Sequence, residues 1–393
     1  MADLSIVNGL VFDGESPDLI EATVRVVDGV IVDIGGAAGD QVLDARGRVV
    51  TPGLIDAHCH AYGIGLNLLD IEATPMSYVA HKAARRLGGA LRRGFTTIRD
   101  VAGGDIGLAK AIDEGLLASP RYLYTGKALS QTGGHADPRP ADRHLDSCCS
   151  HMGEVVDGVD NLRAAVRERF RTGAHAIKIM TSGGVVSLTD PLRIPQYSAE
   201  EVRAVTDEAA RRGSYVAAHA YSPEAIIHSV ANGVRSIEHG NLIDDASANL
   251  MADRHAYLVP TLVTYDGMGR RGAELGLSKV GQEKNAQVLE AGIRSIEIAR
   301  AAGVRIGFGT DLMGDLEMDQ LYEFRIRTEV DSALQVLRSA TSVNADLLQR
   351  PDLGRVAVGS PGDLVVFDRN PFDDASVLWD EPARTVVQGG LVV

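Results

Sequence analysis

The sequence predicts an α/β fold: a (β/α)8 barrel carrying a small β-sandwich-like domain formed by both chain termini. Three observations predict it. Eight short, apolar, strand-like runs recur along the 393-residue chain, near 53–57, 96–100, 122–126, 176–181, 215–220, 235–238, 257–262 and 305–310. Amphipathic stretches with helix start and stop signals separate most of them, and strands alternating with helices build parallel βα units. The two ends of the chain carry β-branched runs broken by Gly and Asp, with no helical period.

The first fifty residues hold three such runs, at 5–12, 22–27 and 30–34, and the end of the chain holds two more, at 363–368 and 385–393. The economical arrangement is one β-domain shared by residues 1–54 and 356–393, with the barrel, 55–355, inserted between them. Within the barrel, Ser198-Ala-Glu-Glu201 has the form of a capping box and Gly213 stops that helix. Ser222 followed by Pro223 opens the next helix, and Gly233 ends it. Asp160 is the expected cap of a helix ending near Gly173. The stretch 130–158 shows no period and is expected to be a long loop after the third strand.

Composition narrows the function classes. Hydrophobic residues make up 45% of the chain, enough for a substantial core, and the net charge of −14 with no long basic run argues against a nucleic-acid partner. No basic segment followed by an apolar stretch opens the sequence, so no secretory leader is expected. No apolar run approaches the roughly 18 residues of a membrane span. The three cysteines, Cys59, Cys148 and Cys149, cannot build a disulfide framework, which fits a reducing cytoplasm. The expected partner is a small-molecule substrate, with no nucleic acid and no membrane, and the expected assembly is a homo-oligomer.

The residues that carry chemistry stand at the ends of the strand-like runs. His58 and His60 close the first run, Lys178 lies in the fourth, His219 and His239 end the fifth and sixth, and Asp311 follows the eighth. In a parallel barrel the C-terminal strand ends meet on one face, so residues distant in sequence converge there. His58 and His60, two apart, share a face of an extended strand. Imidazole and carboxylate suit zinc and similar ions. Lys178 alternates with Ile177 and Ile179. It either enters the barrel interior, where a lone ammonium is costly, or pairs with an acid at the rim. Asp311 is either a ligand that also accepts a proton from water or the cap of the following turn. Cys59 points away from the two histidines and is expected to pack.

The set His58-x-His60, Lys178, His219, His239 and Asp311 resembles the binuclear-metal branch of the amidohydrolase superfamily. The terminal β-domain and Gly362-Asp363-Leu-Val-Val-Phe367 match as well. The resemblance implies two divalent metal ions, expected to be zinc. One would lie on His58, His60 and Asp311, the second on His219 and His239, with N6-carboxylated Lys178 bridging both. Finer motifs resemble the Xaa-Pro dipeptidase (prolidase)-like group: Ser130-Gln-Thr-Gly-Gly-His-Ala-Asp-Pro138, Lys178-Ile-Met-Thr-Ser-Gly-Gly184, His219-Ala-Tyr-Ser-Pro-Glu224, Ser236-Ile-Glu-His-Gly-Asn-Leu-Ile-Asp244 and Val259-Pro-Thr-Leu-Val-Thr-Tyr265. By that resemblance His135 contacts the scissile carbonyl oxygen and Tyr221 holds the substrate's α-carboxylate.

The implied reaction is hydrolysis of a peptide or amide bond in a small carboxylate-bearing substrate, an Xaa-Pro or related dipeptide, by a metal-bridging hydroxide. Asp311 would shuttle the proton and His135 would steady the oxyanion. Alternatives on the same site are hydrolysis of an N-acyl amino acid, a carbamate or a urea. A deaminase is disfavoured: mononuclear deaminases of the superfamily lack the bridging lysine and carry a glutamate soon after the strand-five histidine, whereas Ala, Tyr and Ser follow His219 here. A non-catalytic scaffold would have no reason to keep all six ligand-type residues.

Overall fold

The computed structural model describes residues 3–139, 151–188 and 190–393. Strands from both ends of the chain share one sheet. Val49–Pro52 pairs in parallel with Asp3–Val11 and antiparallel with Leu364–Phe367, setting Pro52 opposite Leu364 and Val49 opposite Phe367. Ile20–Val27 and Val30–Ile34 extend the sheet on one side, Arg384–Gln388 and Leu391–Val392 on the other. Two strands were not legible in the sequence as separate elements: Gln41–Asp44, which pairs with the first strand, and Val49–Pro52 itself. The buried face carries Ile6, Val24, Val26, Ile31, Val50 and Val366, the alternate positions of strands with one covered side.

The middle of the chain is α/β. Leu54–Cys59, Phe95–Asp100 and Arg121–Tyr124 form one parallel sheet. Ile177–Met180, Val216–Ala220, Ser236–His239, Tyr257–Val259 and Arg305–Ile306 pair in that order in a second parallel sheet. All eight expected runs therefore contain strands. The last two are shorter than the sequence indicates, and the helix Leu262–Arg271 starts three residues after the end of one of them.

Two expectations need correction. The stretch after the third strand is not all loop. Ala128–Ser130 and Gly153–Val155 are parallel strands, the former also touching Ile177–Met180 through Leu129 and Ile179. Part of this stretch, with Cys148 and Cys149, lies outside the described residues. Asp160 does not cap its helix either. Val159–Arg171 starts from Gly158, whose φ of 87° a side chain would resist, and Asp160 lies in the first turn, where a carboxylate favours the helix dipole. The other signals hold: Ser198 and Glu201 form a reciprocal capping box, and Ser222 caps a helix with Pro223 in its first turn.

Strand alternation decides what faces the helices. Ile177, Ile179, Ala218, Ile237 and Leu258 pack in one buried cluster with the helix residues Val166, Val202, Val205 and Ile226. Lys178, between the two isoleucines, faces the opposite way and is buried. Among the described residues no helix is long and apolar enough to cross a membrane.

Candidate metal centre and active-site cleft

His58, His60, Lys178, His219, His239 and Asp311 line one cleft, together with His135 and Tyr221. This brings all eight residues singled out in the sequence to one place. Ligand atoms of His58, His239 and Asp311 lie within 4.8 Å of one another. Asp311 Oδ1 is 2.8 Å from His60 Nε2 and 3.3 Å from His58 Nε2. The rings of His58 and His239 are 4.9 Å apart, and those of His219 and His239 4.6 Å.

Local backbone geometry makes the convergence possible. His239 and Asp311 have φ of 77° and 52°, left-handed values that cost non-glycine residues about 1–3 kcal/mol and cluster at functional sites. On Ser236–His239, alternation places Glu238 on the side opposite Ile237 and would send His239 back towards the helices. The left-handed turn at His239 brings it into the cleft beside Glu238's face.

Asp56 fixes the first strand against the segment that carries Asp311. Its Oδ1 accepts the N–H groups of His58 and Thr310, each at 3.1 Å. Its Oδ2 accepts the Thr310 hydroxyl at 2.6 Å and the Gln320 amide at 2.9 Å. Ala57 N–H bonds Phe308 carbonyl at 2.9 Å, and Asp311 N–H bonds His58 carbonyl at 2.7 Å. A Cβ at Gly309 would lie 2.7 Å from that of His58, so only glycine permits this approach.

The donor set fits a divalent cation. Burial, followed by neighbouring imidazoles and Lys178, pushes the pKa of His219 well below the ordinary histidine value. His239 is likewise well below it, through burial, although Asp311 opposes the shift. Both are therefore neutral near pH 7, the form that ligates. Burial raises the Asp311 pKa, but the neighbouring imidazoles outweigh it and hold the carboxylate well below its ordinary value. His60 Nδ1, buried, has no hydrogen-bond partner among the described residues. His219 Nε2 is engaged by the Gly183 carbonyl at 3.1 Å, which leaves Nδ1 as the nitrogen that could ligate.

Lys178 is fully buried. Burial lowers its pKa to about 8, against partial support of the charged form by Glu238 and Asp311. His135 stacks on His219, centroids 4.1 Å apart, with Nδ1 2.8 Å from Ser187 Oγ and 3.7 Å from Asp190 Oδ2. A Cβ at Gly184 would sit 1.9 Å from His135 Cε1, so the Gly-Gly pair before Val185 makes room for this ring. Tyr221 stands edge-on to His219, and its hydroxyl is 2.8 Å from that of Tyr265.

Several participants carry no role in the sequence reading. Thr261 Oγ1 and Tyr265 Oη lie 2.8 and 2.7 Å from His239 Nδ1. Glu238 Oε2 is 2.7 Å from His58 Nδ1, and Glu238 Oε1 is 2.8 Å from Arg99. Lys284 donates to the carbonyls of Gly184, Ser187 and Asp190, pinning the loop that holds His135. A signal for two of them was present: Glu238 and Arg99 each follow an isoleucine in a short strand-like run, as Lys178 does. Asp311 does not cap the following turn, whose first flanking residue is Met313.

A profile of the Amidohydrolase family matches residues 49–392. The ochratoxinase of Aspergillus niger is 30% identical over 97% of this chain and 84% of its own length. A prolidase solved with N-methylphosphonate-L-proline is 44% identical, covering 100% of this chain and 99% of its own, with a TM-score of 0.96. A Xaa-Pro dipeptidase solved with methionine in its active site is 31% identical over 100% and 99% of the two chains, with a TM-score of 0.88. The resemblance read from the ligand pattern is thus met along the whole chain, within the prolidase-like group. The chain belongs to the amidohydrolase family and is a hydrolase of carbon–nitrogen bonds that cleaves amides in a metal-dependent way.

Proposed function

We propose that the protein hydrolyses the amide bond of a small substrate with a free carboxylate, an Xaa-Pro or related dipeptide. The observation that carries this reading is the gathering of six ligand-type residues, His135 and Tyr221 around one cleft. The similarity to a prolidase crystallised with a proline phosphonate supports it. The supporting scaffold is inferred to be a closed (β/α)8 barrel. The Ala57–Phe308 bond joins one seam, and chain continuity from Arg121–Tyr124 into Ala128–Ser130 joins the other.

His58, His60 and Asp311 would hold one divalent ion, His219 and His239 a second, with carboxylated Lys178 between them. Such ions, zinc being suited to these donors, supply Lewis-acid polarisation of the carbonyl and a more acidic water. Carboxylation requires the neutral amine. It adds to the carbon of carbon dioxide, an N–C bond forms, and one proton leaves to give a carbamate anion. With a pKa of about 8, about a tenth of Lys178 is neutral at pH 7. Asp311 takes the proton of the attacking water and delivers it to the leaving nitrogen. His135, steadied by Ser187 and Asp190, contacts the carbonyl oxygen as charge develops there. Tyr221 donates its hydroxyl hydrogen to the substrate carboxylate.

A second reading has support of its own. Away from the ligands the cleft is lined by Leu68, Met152, Val185, Val186, Met268 and Met313. Apolar, methionine-rich walls accept varied bulky groups, and the ochratoxinase likeness runs along nearly the whole chain. An N-acyl amino acid with an apolar acyl group fits this lining. A panel of Xaa-Pro dipeptides and N-acyl amino acids, assayed with zinc-loaded protein, tests both: cleavage of neither class overturns the proposal.

A further inference from the structure

Glu238 lies beneath the candidate centre with both carboxylate oxygens engaged. Oε2 faces His58 Nδ1 at 2.7 Å, and Oε1 receives Arg99 Nη2 at 2.8 Å together with the Ser236 hydroxyl. Arg99 is itself held, by Ala57 carbonyl through Nε and by the Tyr215 hydroxyl at 3.4 Å through Nη1. All of these side chains are buried. A carboxylate only accepts hydrogen bonds, so the His58 nitrogen facing it must carry the proton. His58 Nε2 is then left with its lone pair directed to the Asp311 side of the cleft, 3.3 Å from Oδ1.

We propose that Glu238 is a positioning residue for the metal centre: anchored by Arg99 and Ser236, it fixes His58 as the Nδ1–H tautomer and so presents Nε2 to the ion. Glu238 is neither a ligand nor a proton carrier, because neither oxygen is available to the cleft. The assignment rests on the metal-centre reading above.

Glu238→Gln separates this role from simple packing. An amide has one acceptor oxygen, and Arg99 and Ser236, which donate, claim it. The amide nitrogen then faces His58 Nδ1 and, as a donor, requires a lone pair there. The ring would switch to the Nε2–H tautomer, which cannot ligate. In a chelator-competition titration, Glu238→Gln with an unchanged far-ultraviolet circular dichroism spectrum is expected to bind zinc about ten- to a hundredfold more weakly than the wild type. Glu238→Asp should recover part of the loss. A folded Glu238→Gln protein that binds zinc within twofold of the wild type would overturn the assignment and leave the metal-centre reading standing. A wild-type protein that binds no divalent metal overturns both. Should Glu238→Gln not fold, nitrogen-15 NMR of histidine-labelled, zinc-loaded wild type decides, with His58 assigned by its loss in His58→Gln. The Nδ1–H tautomer supports the role, and the Nε2–H tautomer overturns it.

Discussion

Thr261 and His239 meet through a 2.8 Å hydrogen bond between two residues that both stand on left-handed backbone, at φ 50° and 77°. A β-branched residue is a poor occupant of that conformation. Thr261 opens the helix Leu262–Arg271 without capping it. Glu323, from the helix Tyr322–Arg327, accepts the Val263 N–H at 2.7 Å instead. The Thr261 hydroxyl is thereby spared for His239 Nδ1, which Tyr265 also reaches.

Because two hydroxyls serve one ring nitrogen, losing either should be tolerated better than losing both. Thr261→Val and Tyr265→Phe are each expected to weaken zinc binding by severalfold or less. The double variant should lose more than the product of the two single effects, since it strands a buried donor. Zinc titrations of the four proteins check this. Strictly additive losses would show that the hydroxyls act on His239 independently.

Glu323 predicts a pH dependence of stability. Burial raises its pKa to about 7, above the ordinary 4.5. Between those values the folded state binds more protons than the unfolded state, so stability falls as pH rises. The contribution is fully present below pH 4.5 and lost through pH 7. Glu323→Gln should flatten this part of the melting-temperature profile, its advantage over the wild type growing from pH 5 to pH 8. Parallel profiles for the two proteins would contradict it.

Lys178 predicts how the centre assembles. Its amine is mostly charged below pH 8 and becomes available to carbon dioxide as pH rises. Metal-free protein given zinc and bicarbonate should reach full metal content faster at pH 8.5 than at pH 6.5, measured by elemental analysis. Lys178→Ala should lose metal and activity together. Retention of both would remove the lysine from the centre.

Asp311→Asn should lower turnover far more than metal content. The amide still offers an oxygen to a cation but accepts no proton at neutral pH. Loss of about 10²-fold or more in kcat is expected, the range of general-base contributions. Near-normal kcat would exclude Asp311 as the proton carrier.

The ligand-type residues were legible because strand ends are: an apolar alternating run stops, and a His or Asp follows. Lys178 was legible because a cation between two isoleucines must go somewhere unusual. The same logic applies to Arg99 and Glu238, but a single chain gives no sign that residues 139 positions apart pair. Nor does it show that one left-handed residue, His239, puts adjacent side chains on one face. The split of the third strand at Gly126, φ 73°, was hidden for the same reason: it depends on a backbone turn and not on an apolar period.

Among the described residues lining the cleft there is no arginine, and Tyr221 is the hydroxyl proposed to hold the substrate carboxylate. A charge-assisted hydrogen bond of about 1.5–3 kcal/mol corresponds to about ten- to a hundredfold in kcat/KM. The deciding measurement is kcat/KM of zinc-loaded wild type and Tyr221→Phe on Xaa-Pro dipeptides and on their C-terminal amides. The wild type is expected to prefer the free dipeptides, and Tyr221→Phe to lose about ten- to a hundredfold on them but little on the amides. Equal cleavage of acids and amides by the wild type, or equal losses on both in the variant, would contradict recognition of a free carboxylate.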